Sequence, residues 1–355
     1  MLSSAPPIDK ATDCISCWSQ YWDQALITHR SITKTITKST DIFYSVYATI
    51  DAIFPIQNFE TMNYKHAYHA GNFADVVKHI LLVQLLNQLS QKNKPFYVLD
   101  AYGGRGLYSL ASEEARKTGE AKGGIQALLK ATDIDLDKAP AAVKDYIEGM
   151  KQARFTYDNK VYPGSPWWIA HHIEKNPDSG VRGEAFEAKA SEYDALNYQL
   201  HKLPIGIHHR DAFEGIRAVI PPAERRGLIF LDPPYEQEHK DFTRLIDLLV
   251  ASYNKWPQGT YALWFPIKNV EAVELFYKKL KRTEMRRQLI CELNIYPNDV
   301  AVGLNGTGML IINPPWQFDN QAREILKFLQ PALKVADAPN MTPDSATNVR
   351  WLVGE

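Results

Sequence analysis

Short apolar runs alternate with longer helical stretches from residue 64 onward, and four of these runs end in, or lead directly into, an acidic residue. A short apolar run between charged or turn residues is typical of a strand buried on both faces of a parallel sheet. The pattern therefore predicts an α/β fold with a seven-stranded, mostly parallel sheet flanked by helices. The predicted strands are residues 95–100, 183–187, 205–212, 228–231 and 260–266, with 287–294 and 308–313 as a final hairpin.

A helix is predicted over Ala74–Ser90, because Val76, Ile80 and Val83 recur at helical spacing on one stripe. His79 lies on the same stripe. A single histidine on an apolar face is usually a core residue, but Lys78 adjoins it and the helix leads into the first strand. Lys78 and His79 are therefore both candidate ligand contacts.

The chain divides into two parts by composition. Residues 1–61 are rich in Ser, Thr and Ile, show no lasting periodicity and are expected to form a poorly ordered N-terminal extension, with a folded accessory module as the alternative. Residues 62–355 are expected to form one domain. Within it, residues 107–162 are polar and helical in pattern and contain no clear strand, which predicts a small helical insertion.

Composition excludes several classes of protein. The 355 residues carry a formal net charge of −1, so no global basic field indicates a nucleic-acid partner, and any such site must be a local patch. Three cysteines form no disulfide framework, and the Cys14–Cys17 pair lacks the further ligands of a zinc site. No apolar run approaches the ~20 residues of a membrane span. A cytoplasmic monomer without metal is expected.

The sequence Asp232-Pro233-Pro234-Tyr235 follows the buried run at residues 228–231 and would lie at the carboxyl edge of the sheet, where open α/β sheets bind ligands. The prolines cannot donate backbone hydrogen bonds and keep the chain extended. Their carbonyls and the Asp232 carboxylate would be free to accept hydrogen bonds beside the Tyr235 ring, which suits a planar group bearing an NH2. A capped proline turn is the alternative for this motif alone.

A glycine-rich turn follows the first strand, with the spacing Asp100-x-Tyr102-x-Gly104-x-Gly106. Glycines allow the backbone to turn sharply and to approach a ligand closely. A dinucleotide-binding loop would need a third glycine where Ser109 stands. The loop instead resembles the cofactor loop of class I S-adenosylmethionine-dependent methyltransferases.

Other candidate cofactor contacts follow from positions in such a fold. An acid at the end of the second strand typically holds ribose hydroxyls, and Glu187 is the candidate. Asp211 could accept a hydrogen bond from the adenine amine of the cofactor, with the Ala212 amide beside it. Ser165 lies between two prolines in a rigid turn at a predicted helix start, with its hydroxyl available.

Taken together, the motifs resemble one family, the 23S ribosomal RNA adenine-N6 methyltransferases of the J type, from about Met62 to the C-terminus. The resemblance implies S-adenosylmethionine contacts at His79, Ser165, Glu187, Asp211, Ala212 and Asp232, with Asp232 as catalytic acceptor. One departure is Tyr102, where the family commonly has His. The matching segments are Tyr64–Asn72, Asp75–His79, Tyr162–Pro166, Arg226–Ile229, Asp232–Glu236, Gly259–Trp264 and Ile312–Trp316.

The implied reaction is N6-methylation of an adenine in free 23S ribosomal RNA, with Asp232 and Pro233 as acceptors and Tyr235 stacking the base. Tyr64, Lys65 and His66 are expected to contact the RNA. A DNA adenine methyltransferase is the first alternative. A protein glutamine methyltransferase, which usually has Asn in place of Asp232, and an RNA-binding module without activity are the others.

A second motif, Asn313-Pro314-Pro315-Trp316, also resembles a methyltransferase catalytic motif, but it is not expected to be catalytic. Three strands should follow the catalytic strand in this fold, and only 39 residues follow Trp316. The run that ends at Asp232 leaves room for three strands.

Overall fold

The computed structural model describes residues 68–92, 94–131, 135–297, 300, 303–333, 335 and 341–354. The expectation of an N-terminal extension at residues 1–61 lies outside the described residues. So do the RNA contacts expected at Tyr64, Lys65 and His66.

An eight-stranded sheet forms the centre of the described domain, in the order β10-β8-β9-β7-β6-β1-β4-β5, and β2 and β3 form a separate two-stranded antiparallel sheet. Strands β5, β4, β1, β6 and β7 run parallel, whereas β9, β8 and β10 pair antiparallel. The strands are β1 (Phe96–Asp100), β2 (Leu107–Ser109), β3 (Val161–Pro163), β4 (Val181–Glu187), β5 (Gly206–His209), β6 (Gly227–Leu231), β7 (Thr260–Ile267), β8 (Gln288–Asn294), β9 (Gly306–Ile312) and β10 (Thr347–Val353).

Helices cover both faces of this sheet. They are α1 (Phe73–Ser90), α2 (Glu113–Thr118), α3 (Ile125–Lys130), α4 (Ala141–Thr156), α5 (Ser165–Lys175), α6 (Ala190–Leu200), α7 (Ala212–Val219), α8 (Glu238–Lys255), α9 (Val270–Leu280), α10 (Phe318–Leu333) and α11 (Pro343–Ala346), with short 3₁₀ helices at Glu120–Lys122, Leu136–Lys138 and Pro177–Ser179.

The predicted class I methyltransferase architecture is confirmed, with a mostly parallel sheet between helical layers. The strand number is corrected from seven to eight, because β10 extends the antiparallel edge beside β8. Strand β10 contains the apolar residues Val349 and Trp351–Val353, of which Leu352 is buried, and the prediction of seven strands omitted this short run. The strand predicted at residues 205–212 is also shorter, because it ends at His209 and Asp211 caps α7 instead.

The core forms two clusters, one on each face of the sheet. In β1, Phe96 and Val98 point to the cluster that includes α1, whereas Tyr97 and Leu99 point to the other, as the alternation of strand side chains requires. Helix α1 is buried on almost every side rather than on the single predicted stripe.

The segment at residues 107–162 contains helices α2, α3 and α4, and the paired strands β2 and β3 lie at its two ends. Val143, Tyr146 and Met150 of α4 join the same apolar cluster as α1. The segment therefore packs over α1 as a further layer of the domain, and this layer explains why polar residues of α1 are buried.

Candidate active site

Four acidic residues come together at one edge of the sheet. Because β1, β4, β5 and β6 are parallel, their carboxyl ends meet there. Asp100 and Glu187 end β1 and β4, Asp211 follows β5 by two residues, and Asp232 directly follows β6. The structure thus brings these sequence-predicted residues to one edge.

The glycine turn approaches the end of β4 closely. The Gly103 amide donates to the Phe186 carbonyl at 2.7 Å, and the Gly104 amide donates to Glu187 Oε2 at 2.9 Å. Gly104 has a φ of +59°, and a Cβ placed there would lie 2.3 Å from the hydroxyl oxygen of Tyr108. The turn therefore requires glycine at this position, and Glu187 helps to hold its shape.

Asp100 is fully buried beneath this turn. Its Oδ1 accepts a hydrogen bond from the Tyr102 amide at 3.1 Å, whereas its Oδ2 is buried and has no hydrogen-bond partner among the residues that the structure describes. Burial raises the pKa of Asp100 to about 7, and the Ser165 hydroxyl and the Tyr102 amide counteract part of that rise. A buried carboxyl with an unused oxygen can accept a donor from a bound cofactor.

Helix α5 begins beside the same turn. Gly164 is its N-cap, and the Gly164 amide donates to the Gly106 carbonyl at 2.7 Å. Ser165, the first residue of the helix, is 5% exposed. The rigid turn predicted around Ser165 is therefore attached to the glycine turn by a main-chain hydrogen bond.

Lys78 joins α1 to the end of β6. Its Nζ pairs with Asp75 Oδ1 at 2.7 Å and with Asp232 Oδ2, and it lies 5.4 Å from the centre of the Trp264 ring. Burial disfavours the charged ammonium, but Asp232 and Asp75 outweigh it and raise the pKa of Lys78. Lys78 therefore remains a cation, and its cofactor contact stays a prediction.

This ion pair corrects the expectation that the whole Asp232 carboxylate is free. Oδ2 is occupied by Lys78, whereas Oδ1 and the Pro233 carbonyl accept no hydrogen bond from the described residues. The Asp232 side chain is 14% exposed. Two neighbouring acceptors thus remain for a substrate.

Tyr235 is more deeply buried than expected for a ring that stacks a substrate base. Its ring is 8% exposed and lies 5.3 Å from the Phe242 ring and 5.8 Å from the Trp264 ring. Its hydroxyl donates to the Trp264 carbonyl at 2.6 Å. Base stacking by Tyr235 stays a prediction, and the same contacts give the ring a structural role.

Two residues of this site were not singled out from the sequence, Asp75 and Trp264. Asp75 lies three residues before Lys78, which is a spacing that places both on one side of a helix. That spacing could have indicated the ion pair. Trp264 lies on β7, the strand next to β6, but nothing in the local pattern indicates that its ring reaches Lys78.

The remaining predicted cofactor contacts lie in different surroundings. His79 is 1% exposed, and its Nδ1 is 2.8 Å from the Tyr162 hydroxyl, beneath the layer formed by residues 107–162. Asp211 Oδ1 accepts the Phe213 and Glu214 amides and caps α7, and Ala212 is buried. Cofactor contacts at these residues, and at Tyr102, stay predictions.

Asn313 lies at the opposite edge of the sheet, because β9 runs antiparallel to β7. Its Nδ2 donates to the carbonyls of Pro257 and Gly259 at 2.6 and 2.9 Å. The second motif therefore belongs to a structural turn far from Asp232.

Within the described ranges, no group of three or more His, Cys, Asp or Glu is arranged to hold a metal ion. No helix among those residues is long and apolar enough to cross a membrane.

Comparison with known proteins agrees with this geometry. A family model described as "Ribosomal RNA large subunit methyltransferase D, RlmJ" matches residues 93–352. The chain belongs to the RlmJ family. The resemblance found in the motifs is thereby confirmed at the level of ribosomal RNA large-subunit methyltransferases.

The alignments with two individual RlmJ relatives cover the whole length of those proteins. Ribosomal RNA large subunit methyltransferase J of Escherichia coli K12 is 33% identical over 295 residues, which are 83% of this chain and 100% of that protein. The Haemophilus influenzae protein of the same name is 36% identical over 298 residues, with the same coverage. The crystal structure of LPL1258 from Legionella pneumophila superposes with a TM-score of 0.68 at 30% identity, covering 80% of this chain and 98% of that one.

The methyl donor of this RlmJ family member is S-adenosylmethionine. The residues fit it: within the described part of the chain Asp100 Oδ2 is a buried acceptor without a partner at the base of the site, and the turn above it depends on Gly104, where a Cβ would lie 2.3 Å from the Tyr108 hydroxyl oxygen. When bound, this donor supplies an electrophilic methyl group.

Proposed function

We propose that the chain methylates the N6 amino group of an adenine in 23S ribosomal RNA, acting on free RNA rather than on the assembled subunit. The observation that carries the proposal is a pair of acceptors at the end of β6, Asp232 Oδ1 and the Pro233 carbonyl, to which none of the described residues donates a hydrogen bond. An amino group on a planar ring has two hydrogens to donate, one for each acceptor.

The N6 lone pair of adenine is delocalised into the ring, so the amine is a poor nucleophile. Two acceptors aimed at its hydrogens would localise that lone pair and orient it for attack. Asp232 would also take the proton released after transfer, because its Oδ1 would already hold one of the amine hydrogens. Lys78 and Asp75 are positioning residues here, because the ammonium fixes Oδ2 and leaves Oδ1 directed elsewhere.

The choice of RNA as substrate rests on the family and on the names of the relatives, which specify ribosomal RNA of the large subunit. Tyr64, Lys65 and His66 are proposed to contact this RNA, and the target base would have to leave its stack to reach Asp232. We place the protein in the cytoplasm as a monomer. A DNA adenine methyltransferase is the second candidate, because the same acceptors would serve the same amine.

The test is methyl transfer from labelled S-adenosylmethionine to three substrates: protein-free 23S ribosomal RNA, assembled large subunits and duplex DNA. We expect incorporation into the free RNA, and N6-methyladenosine as the labelled nucleoside after digestion. Incorporation into duplex DNA alone would favour the second candidate. Label on a different base or atom would contradict the proposed chemistry.

A further inference from the structure

The edge of the sheet opposite Asp232 carries a concentration of positive charge. Three loops lead into β1, β6 and β8 at this edge: residues 91–95, 220–226 and 281–287. They hold eight Lys and Arg against two Glu, which leaves an excess of six positive charges in a chain whose net charge is −1. One of the two acids, Glu224, is already paired with Arg182 at 2.7 Å.

Six cations of these loops are exposed, and none of them forms an ion pair within the part of the chain that the structure describes. We call them the edge cations. They are Lys92, Lys94, Arg225, Lys281, Arg282 and Arg286.

The ordinary role of cations at such an edge is to complement the negative ends of helix dipoles. That role is filled in α7 by Arg217 and in α9 by Lys278 and Lys279, which lie in the last turns of those helices. Helix α1 has no basic residue in its last turn, so Lys92 and Lys94 fill the role there. Arg225, Arg282 and Arg286 lie beyond these helix ends, in the following loops. Much of the edge charge is therefore in excess of what the helix ends require.

An exposed indole lies among these loops. Trp316 is 82% exposed in the turn that follows β9, and β9 is the neighbour of β8. Gln88 donates to the Trp316 carbonyl at 3.1 Å, and Lys92 follows Gln88 by four residues, just beyond the end of α1 at Ser90. Arg287 donates to the Pro314 carbonyl at 3.1 Å. The turn is thus fixed from two sides, by Gln88 in the last turn of α1 and by Arg287, the residue after Arg286.

The same turn is backbone-strained at both ends. Asn313 and Gln317 have φ values of +52° and +59°. For Gln, which has no special tolerance of the left-handed region, this conformation costs roughly 1–2 kcal/mol. The fold therefore maintains a costly conformation that presents a large aromatic side chain to solvent, which is a pattern associated with binding surfaces.

The spacing of these groups suits an extended polyanion. Strand β8 and strand β1 are separated by β9, β7 and β6, so at about 4.8 Å per strand the edge cations span roughly 20 Å. The catalytic and basic edges are roughly 17 Å apart along the five residues of β6, at about 3.3 Å per residue. One folded RNA can reach both edges over such a distance.

We infer that this edge is a second RNA-contact surface, where the edge cations bind the phosphodiester backbone and an unpaired base stacks on Trp316. The inference rests on the proposed RNA substrate and extends it to a part of the RNA distant from the target adenine. Phosphate contacts by Lys and Arg supply affinity without reading sequence, and aromatic stacking accepts any base.

The first test compares methylation of two RNAs, a short stem–loop that carries the target adenine and a longer fragment that extends its stem. In the variant Arg282→Glu/Arg286→Glu we expect KM for the long fragment to rise about ten-fold or more. The slope of log affinity against log salt should become shallower by about 1.5, because two phosphate contacts are lost. KM for the short stem–loop and the affinity for S-adenosylmethionine should be unchanged.

The matched control is Lys130→Glu/Lys151→Glu, which reverses two exposed cations of α3 and α4 that form no ion pair in the described structure. It should leave both KM values near those of the wild type. An equal loss in both double variants would show a general charge effect and would contradict a dedicated surface.

The second test is Trp316→Ala, compared with Trp316→Phe. We expect the alanine variant to bind the long fragment about five-fold or more weakly, the loss expected for one base stack of about 1 kcal/mol, and the phenylalanine variant to retain most of the affinity. If both variants and the double arginine variant methylate the long fragment as well as the wild type, the inference is wrong, and an acidic protein partner would remain for this edge. Failure of the wild type to methylate either RNA would instead contradict the proposed function.

Discussion

Replacing Lys78 with Met tests the internal ion pair on which the site depends. The ammonium lies between Asp75 and Asp232, and its side chain is 3% exposed. Met has similar length but no charge, so two carboxylates would face each other in a nearly dry environment. Removing one partner of a buried ion pair typically costs about 3–5 kcal/mol, because the remaining charge is left uncompensated.

The expected loss corresponds to a fall in melting temperature of roughly 6–20 °C, since 1 kcal/mol shifts a domain of this size by about 2–4 °C. The loss of stability in the Lys78→Met variant should also depend on pH. Without the cation, the two carboxyls have raised pKa values in the folded variant, so the folded state binds more protons than the unfolded state. The stability deficit should therefore shrink as pH falls from 8 to 5.

The assay is thermal and urea unfolding of the full chain at both pH values, together with the methylation rate. Lys78→Arg keeps the charge and should lose less stability, and Lys151→Met serves as an exposed control that should behave like the wild type. A loss of unfolding free energy below about 1 kcal/mol that does not change with pH would refute the reasoning, because removing Lys78 must leave two buried carboxylates without a compensating cation.

Three further outcomes follow from the same geometry. Asp232→Ala should lower the methylation rate on the order of 10²-fold or more while circular dichroism shows a folded protein, because it removes one of the two acceptors; near-normal turnover would refute that role. Gly104→Ala should weaken S-adenosylmethionine binding, measured by calorimetry, because its Cβ would lie 2.3 Å from the Tyr108 hydroxyl oxygen; Tyr108→Phe in the same chain should recover part of the loss. Asp100→Asn should flatten the pH dependence of stability between about 4 and 7: the raised pKa means that the folded state holds a proton longer, so wild-type stability falls as pH rises through this window. An unchanged pH profile would contradict a buried, titrating Asp100.

The sequence was informative where a local pattern determines position. An apolar run that ends in an acid places that acid at the carboxyl edge of a parallel sheet, and this holds for Asp100, Glu187 and Asp232. The glycine spacing after β1 predicted a sharp turn, and Gly104 and Gly106 lie in that turn with positive φ values. The antiparallel direction of β9 likewise agrees with the expectation that Asn313 is not catalytic.

The parts that escaped prediction depend on contacts distant in sequence. Lys78 and Asp232 are 154 residues apart, and no local pattern reveals that they pair. The burial of α1 on nearly every side depends on the layer at residues 107–162 that covers it. Strand β10 has only a short apolar run, and its place at the edge is set by pairing to β8. Tyr235 is packed by Phe242 and Trp264 from two other elements.

The most direct test of the central claim is nucleoside mass spectrometry of 23S ribosomal RNA from a strain that lacks this gene. The account predicts that N6-methyladenosine is lost at one position and is restored by the wild-type gene but not by the Asp232→Ala variant. An unchanged N6-methyladenosine content in the deletion strain, or full restoration by the Asp232→Ala variant, would contradict it.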